Sequence, residues 1–173
     1  VRRGSALTGA GGPGPRRGAL SEGDAAGMAA ALAEARRAAS AGEVPVGAAV
    51  VLDGRIVART HNETVARRDL TRHAELLAIQ RALQAIGRDR LDGATLYVTL
   101  EPCAQCAGSI VLARVSRVVF GAYDPKAGMA GSVGDLLRHR RLNHRPDVLG
   151  GVMEEACGAL LSEFFAARRE AAT

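Results

Sequence analysis

Long hydrophobic runs are missing from this chain: no stretch approaches the roughly 20 consecutive apolar residues that a bilayer-spanning helix needs, so no membrane association is expected. The basic residues near Val1 are not followed by a continuous apolar stretch, which argues against classical secretion and makes the cytoplasm the expected location. Cysteine is scarce. Three are too few for a disulfide framework, and a reducing compartment would keep them available as thiols. Lysine is nearly absent, with Lys126 alone among 23 basic residues, which fits either genomic composition or a need for forked guanidinium donors. No internal repeat is visible. What is present is 173 residues with 47% hydrophobic content, enough for one ordinary globular domain with a core. The net charge of +5 and pI of 9.8 favour an acidic partner such as nucleic acid, although unstructured charge would act only non-specifically.

Residues 1–27 are rich in Gly, Pro and Ala, carry two Arg pairs and lack apolar periodicity, so they read as a disordered tail ahead of a domain over residues 28–170. The alternatives are an arm that touches nucleic acid through Arg2, Arg3, Arg16 and Arg17, or an extension without a role. The alanine-rich pattern from Met28 to Ala41 predicts a helix ended near Gly42. Asp53-Gly54 between Val46–Leu52 and Ile56–Thr60 predicts a tight antiparallel hairpin. A second helix is expected over His73–Ile86, where Leu76, Leu77, Ile79, Ala82 and Leu83 recur at helical spacing and Gly87 supplies the stop. Strand Thr95–Leu100, a helix opened by Pro102, and strand Val115–Gly121 form a parallel crossover, so the sheet is mixed. A glycine-rich loop over 124–134, a short basic helical piece over 135–142, an edge strand over 147–151 and a closing helix over 152–169 complete the chain.

His73-Ala74-Glu75 and Pro102-Cys103-Ala104-Gln105-Cys106 carry the chemistry. Cys103 and Cys106 lie in the first turn of a helix, on one face, where unpaired backbone N–H groups favour thiolate. With His73 they offer two sulfurs and one imidazole, a recognised zinc set that leaves a fourth position open for water. Glu75 is then the acid-base group beside that water. Other readings of the same residues stand beside this one. Cys157 is either a fourth ligand or a small core residue in the closing helix. His139 and His144 sit in an arginine-bearing stretch, and His61 ends a strand beside Asn62; each is a weaker donor by spacing. The C-x-x-C is also compatible with a redox pair, which would leave His73 and Glu75 unused.

H-x-E followed by P-C-x-x-C is the signature of zinc nucleobase deaminases. Gly42-Glu43-Val44-Pro45-Val46-Gly47-Ala48, Thr95-Leu96-Tyr97-Val98-Thr99-Leu100-Glu101 and Arg117-Val118-Val119-Phe120-Gly121-Ala122 narrow the resemblance to the bacterial tRNA-specific adenosine deaminases, as do Gly131-Ser132, Asn143-His144-Arg145 and Leu161-Ser162-Glu163-Phe164-Phe165. The similarity spans roughly Met28 to Glu170. It implies an α/β, three-layer α-β-α cytidine-deaminase-like fold with a central mixed five-stranded sheet, one Zn2+ per subunit and no organic cofactor. It also implies a homodimer whose partner subunit completes a cleft for the tRNA anticodon stem-loop. By the same resemblance Asn62 holds the flipped nucleoside and the backbone N–H of Ala74 meets the base, while Asp124, Lys126, Asn143, His144, Phe165, Arg168 and Arg169 occupy regions associated with the anticodon loop. Arg72 departs from the family pattern, replacing a small residue next to the ligand His73. Ala166-Ala167 lack a basic side chain often present there. Asn62 also reads as a turn former, Phe165, one of only three phenylalanines, as core, and Arg168 and Arg169 as solvated helix-end charges.

The reaction implied is hydrolytic deamination at C6 of adenine, converting the wobble adenosine of an arginine tRNA to inosine, with Glu75 moving the protons. Two rival readings remain: a deaminase of a free base on the same metal core, and an RNA-binding module with a structural zinc. The basic stretch Arg138-His139-Arg140-Arg141 favours RNA over a small substrate, and Glu75 favours turnover over a module.

Overall fold

The computed structural model describes residue 20 and residues 22–171, and the tail expected from the sequence falls mainly outside these. Its elements are α1 (Glu22–Ser40), β1 (Gly47–Leu52), β2 (Arg55–His61), α2 (Ala74–Ile86), β3 (Thr95–Leu100), α3 (Ala104–Leu112), β4 (Arg117–Ala122), β5 (Asp147–Leu149) and α4 (Glu154–Ala171). The sheet runs β2-β1-β3-β4-β5, with β1 antiparallel to both neighbours and β3, β4 and β5 parallel.

The hairpin turns where the sequence placed it, with Asp53 and Gly54 at φ 49 and 72, the left-handed pair that suits strand twist. Side chains then alternate between two apolar layers. Val50, Leu96, Val98, Val118 and Phe120 face Ala78, Ile79, Ala107 and Ile110 of α2 and α3. Tyr97 and Val119 face Met28, Ala31 and Leu32 of α1 and Cys157 of α4. The result is the expected three-layer arrangement. Full burial of a side chain such as Phe120 stabilises it by roughly 1.5–3 kcal/mol. At Gly47 a Cβ would overlap the Ala31 carbonyl oxygen, so glycine lets the backbone of α1 rest directly on β1. On the outer edge of the sheet, Arg81 Nη1 of α2 donates to the Arg59 carbonyl of β2 at 3.3 Å.

Two expectations are corrected. Helix α1 starts at Glu22 rather than Met28, because the buried Asp24 is anchored by Arg117 of β4 and by the Tyr97 hydroxyl at 3.1 Å. These partners are remote in sequence and leave no local signal. Residues 135–142 form turns instead of a helix. Asp135 bridges to Ala130, Leu136 N–H donates to the Met129 carbonyl, and single turns close at His139 and Leu142. So short a segment gains too few helical bonds to compete with those anchors.

Candidate active site

Two helix starts meet at the C-terminal end of β3. His73 is the N-cap of α2 (φ −77, ψ 150) and Cys103 the N-cap of α3 (φ −75, ψ 178), and neither side chain makes a capping bond. N-caps are usually Ser, Thr, Asp or Asn folded back onto the helix; here both side chains turn toward each other instead. His73 Nδ1 lies 3.5 Å from Cys103 Sγ and 3.5 Å from Cys106 Sγ. Tetrahedral zinc with the usual bond lengths, about 2.3 Å to sulfur and 2.0–2.1 Å to nitrogen, separates the two donor types by about 3.5 Å. The residues therefore fit the ion. Among the described residues the cluster of potential ligands contains these three, whose donor atoms all lie within 4.8 Å of one another.

Glu75 is 4% exposed, and burial pushes its carboxyl up to about 7, within reach of both protonation states near neutral pH. Hydrogen bonding from Cys106 pulls the Cys103 thiol down to about 3, and that same bond raises Cys106. His73 is raised by its contact with Cys103. Coordination by these donors requires both thiols as thiolates and a neutral imidazole, so metal binding would release protons.

These groups open into a cavity of about 350 Å³ whose lining includes Val46, Asn62, Thr64, Leu70 and Asp124. Asn62 Oδ1 accepts the Ala74 N–H at 2.8 Å, and Thr60 Oγ1 donates to the Ala74 carbonyl at 2.7 Å. The Ala74 N–H, which the resemblance directs at the base, is therefore engaged by Asn62. Two buried carboxylates shape the cavity walls, and sequence reasoning missed both. Glu43 accepts from Val65 N–H, Ala66 N–H and the Thr64 hydroxyl. Glu101 accepts from Asp124 N–H, Ala130 N–H, Ser132 N–H and the Ser132 hydroxyl. Their donors are mostly backbone groups, which no residue pattern advertises; the only available signal was an acid inside a buried segment.

The other expected site residues divide. Asp124 lines the cavity and closes its own turn, accepting Lys126 N–H at 2.9 Å and Ala127 N–H at 3.1 Å. Lys126, Phe165 and Arg169 line a second depression of about 420 Å³ with Leu161 and Ser162. Phe165 is 43% exposed and so is not a core residue. Arg168 lies 4.7 Å over the Phe164 ring and donates to the Gly42 carbonyl at 2.7 Å. Asn143 and His144 are not brought to the cavity: His144 Nε2 is 2.6 Å from the Val115 carbonyl, ahead of β4, at the opposite end of the parallel strands. Cys157 is packed against Gly121, does not join the clustered donors, and reads as core. Arg72 is turned onto Glu63, with Nη2 2.7 Å from the carboxylate.

The model of the MafB19-like deaminase family matches residues 22–169. The chain is 52% identical over 138 residues to the tRNA-specific adenosine deaminase of Bacillus subtilis (strain 168), covering 80% of this chain and 86% of that one. It belongs to the tRNA-specific adenosine deaminase family. A solved structure from work on A-to-I editing by tRNA:A34 deaminases superposes with a TM-score of 0.75 at 45% identity, covering 79% of this chain and 99% of that chain. A guanine deaminase from Nitrosomonas europaea superposes with a TM-score of 0.69 at 26% identity, covering 88% of each chain. As a deaminase of this family the chain is a zinc-dependent hydrolase, and the redox and structural-zinc readings of its cysteines fall away.

Proposed function

We propose that this deaminase converts the wobble adenosine of an arginine tRNA to inosine, acting as a cytoplasmic homodimer. The observation that carries the reading is the buried Glu75 beside a three-donor zinc cluster, in a chain about half identical to a tRNA-specific enzyme. His73, Cys103 and Cys106 would hold the zinc, which when bound would act as the Lewis acid that lowers the pKa of water. Glu75 takes one proton from the attacking water and delivers it to N1, then carries the second, from the new hydroxyl at C6, to the departing amino group. Water is consumed and ammonia leaves.

The cavity admits a single base, near the low end of the usual small-ligand range of about 300–1,000 Å³, so the target nucleotide enters unstacked. An anticodon loop presents such a base at lower cost than a duplex. With its oxygen committed to Ala74, Asn62 offers the base its amide NH2. Lys126 and Arg169 around Phe165 suit phosphates and an exposed base of the flanking loop. Among the described residues no helix is long and apolar enough to cross a membrane.

The test is to incubate the zinc-loaded protein with an arginine tRNA carrying adenosine at the wobble position, and in parallel with free adenosine, guanine and cytidine. Inosine formed in the tRNA and no turnover of the free compounds is the expected result. Turnover of a free base without tRNA product would overturn the substrate assignment.

A further inference from the structure

Glu101 lies between β3 and the turn that delivers Cys103, and it has no part in the proton transfer assigned to Glu75. It is 2% exposed. Its Oε1 accepts Ala130 N–H and Ser132 N–H, each at 3.0 Å, and its Oε2 accepts Asp124 N–H at 3.0 Å and the Ser132 hydroxyl. Four donors from one loop converge on one side chain, a set that only an acceptor-only carboxylate satisfies in full. The backbone repeats the attachment: Glu101 N–H donates to the Ala122 carbonyl at 2.8 Å, and Met129 N–H to the Pro102 carbonyl at 2.9 Å. The closest approach is at Gly128, where a Cβ would overlap both the Glu101 carboxylate and the Asp124 carbonyl oxygen. The loop is moulded around this acid.

Asp124, Glu101 and Cys103 all line the same cavity. Together with the Met129–Pro102 backbone bond, this side chain therefore sets how far the wall carrying Asp124 and Ala127 stands from the metal-ligand turn. We propose that Glu101 is a positioning residue of the deamination reaction, holding the substrate-facing segment 124–132 in register with the Cys103 turn. This rests on the reading of the site as a tRNA deaminase. Because the wall meets substrate and leaves Glu75 untouched, its displacement acts on substrate binding more than on the chemical step.

Two substitutions test it independently. Glu101→Gln replaces one oxygen with NH2. The Ser132 hydroxyl can reverse its role, so the NH2 is best accommodated at the Oε2 position, and the Asp124 N–H then loses its acceptor. Gly128→Ala instead pushes on an intact carboxylate. For both variants the expected result is zinc bound as in the wild type, a KM for tRNA raised on the order of tenfold, and kcat within about threefold. Amide hydrogen exchange should accelerate over residues 124–132 and stay at wild-type rates in α2 and α3. An unchanged KM in both variants, a fall in kcat at constant KM, or accelerated exchange spread through α2 and α3 would each overturn the proposal. If the wild type makes no inosine in tRNA, the substrate reading fails separately. The exchange comparison then still decides the clamp, which unchanged exchange at 124–132 would refute.

Discussion

Asn62 and Ala74 are joined by a 2.8 Å hydrogen bond from the Ala74 N–H to Asn62 Oδ1, which ties the end of the β1–β2 hairpin to the first residue of α2. Ala74 stands between the ligand His73 and the acid Glu75, so this bond orients both. Asn62→Ala strands a buried donor and is expected to lower stability by about 1–3 kcal/mol together with activity. Asn62→Asp keeps an acceptor but removes the amide donor. It should recover most of the stability while kcat/KM stays low, as read by denaturant midpoints beside steady-state kinetics.

Glu75→Gln preserves size and burial but cannot carry a proton. The variant should bind zinc like the wild type and lose on the order of 10²–10⁴ in kcat, the usual contribution of a positioned acid-base group. Metal analysis and single-turnover assays check the two halves; full activity would remove Glu75 from its role.

Of the three cysteines, Cys103 and Cys106 face His73 while Cys157 is 1% exposed in the layer between α4 and β4. Cys103→Ala should abolish stoichiometric zinc. Cys157→Ala should keep it and reduce stability by on the order of 1 kcal/mol. Zinc lost from the Cys157 variant would contradict the three-ligand site.

Glu63 gathers Arg72 at 2.7 Å, Arg81 at 3.0 Å and Arg67 at 3.6 Å. Its hydrogen bond to Arg72 leads the causes that hold its carboxyl below the ordinary 4.5, with burial opposing and the charges of Arg72, Arg81 and Arg67 adding to the effect. With the folded value depressed, the unfolded chain binds more protons in the window between the two values, so stability rises with pH there. The contribution is complete above pH 4.5 and is lost as pH falls through the folded value. Glu63→Gln should therefore be less stable than the wild type by on the order of 1 kcal/mol at pH 7. The difference should shrink progressively below pH 4.5, measured by urea denaturation across that range.

Sequence legibility followed the range of the interaction that sets each feature. The Asp53-Gly54 turn and the bounds of β3 obey local rules of backbone and pattern, and the structure places them where those rules do. The metal triad was legible because its chemistry is encoded in residue type, even though His73 and Cys103 stand 30 positions apart. Glu101 and Glu43 were opaque because their partners are backbone N–H groups that every residue carries. The start of α1 was misplaced for a related reason, since Asp24 is held by Arg117, 93 positions away. His144 was named from a family motif, and its contact with the Val115 carbonyl is another that no residue pattern announces.

The guanidinium that Arg81 lends to the Arg59 carbonyl also bears on behaviour in concentrated solution. β2 terminates the sheet on one side, and an outermost strand offers its free backbone groups to any other chain that arrives extended. Covering one such carbonyl with a cation, on a strand that already displays Arg55 and Arg59, removes a docking point and repels a second copy of the same strand. At that position the outermost strand has one open backbone acceptor fewer for an arriving strand to use.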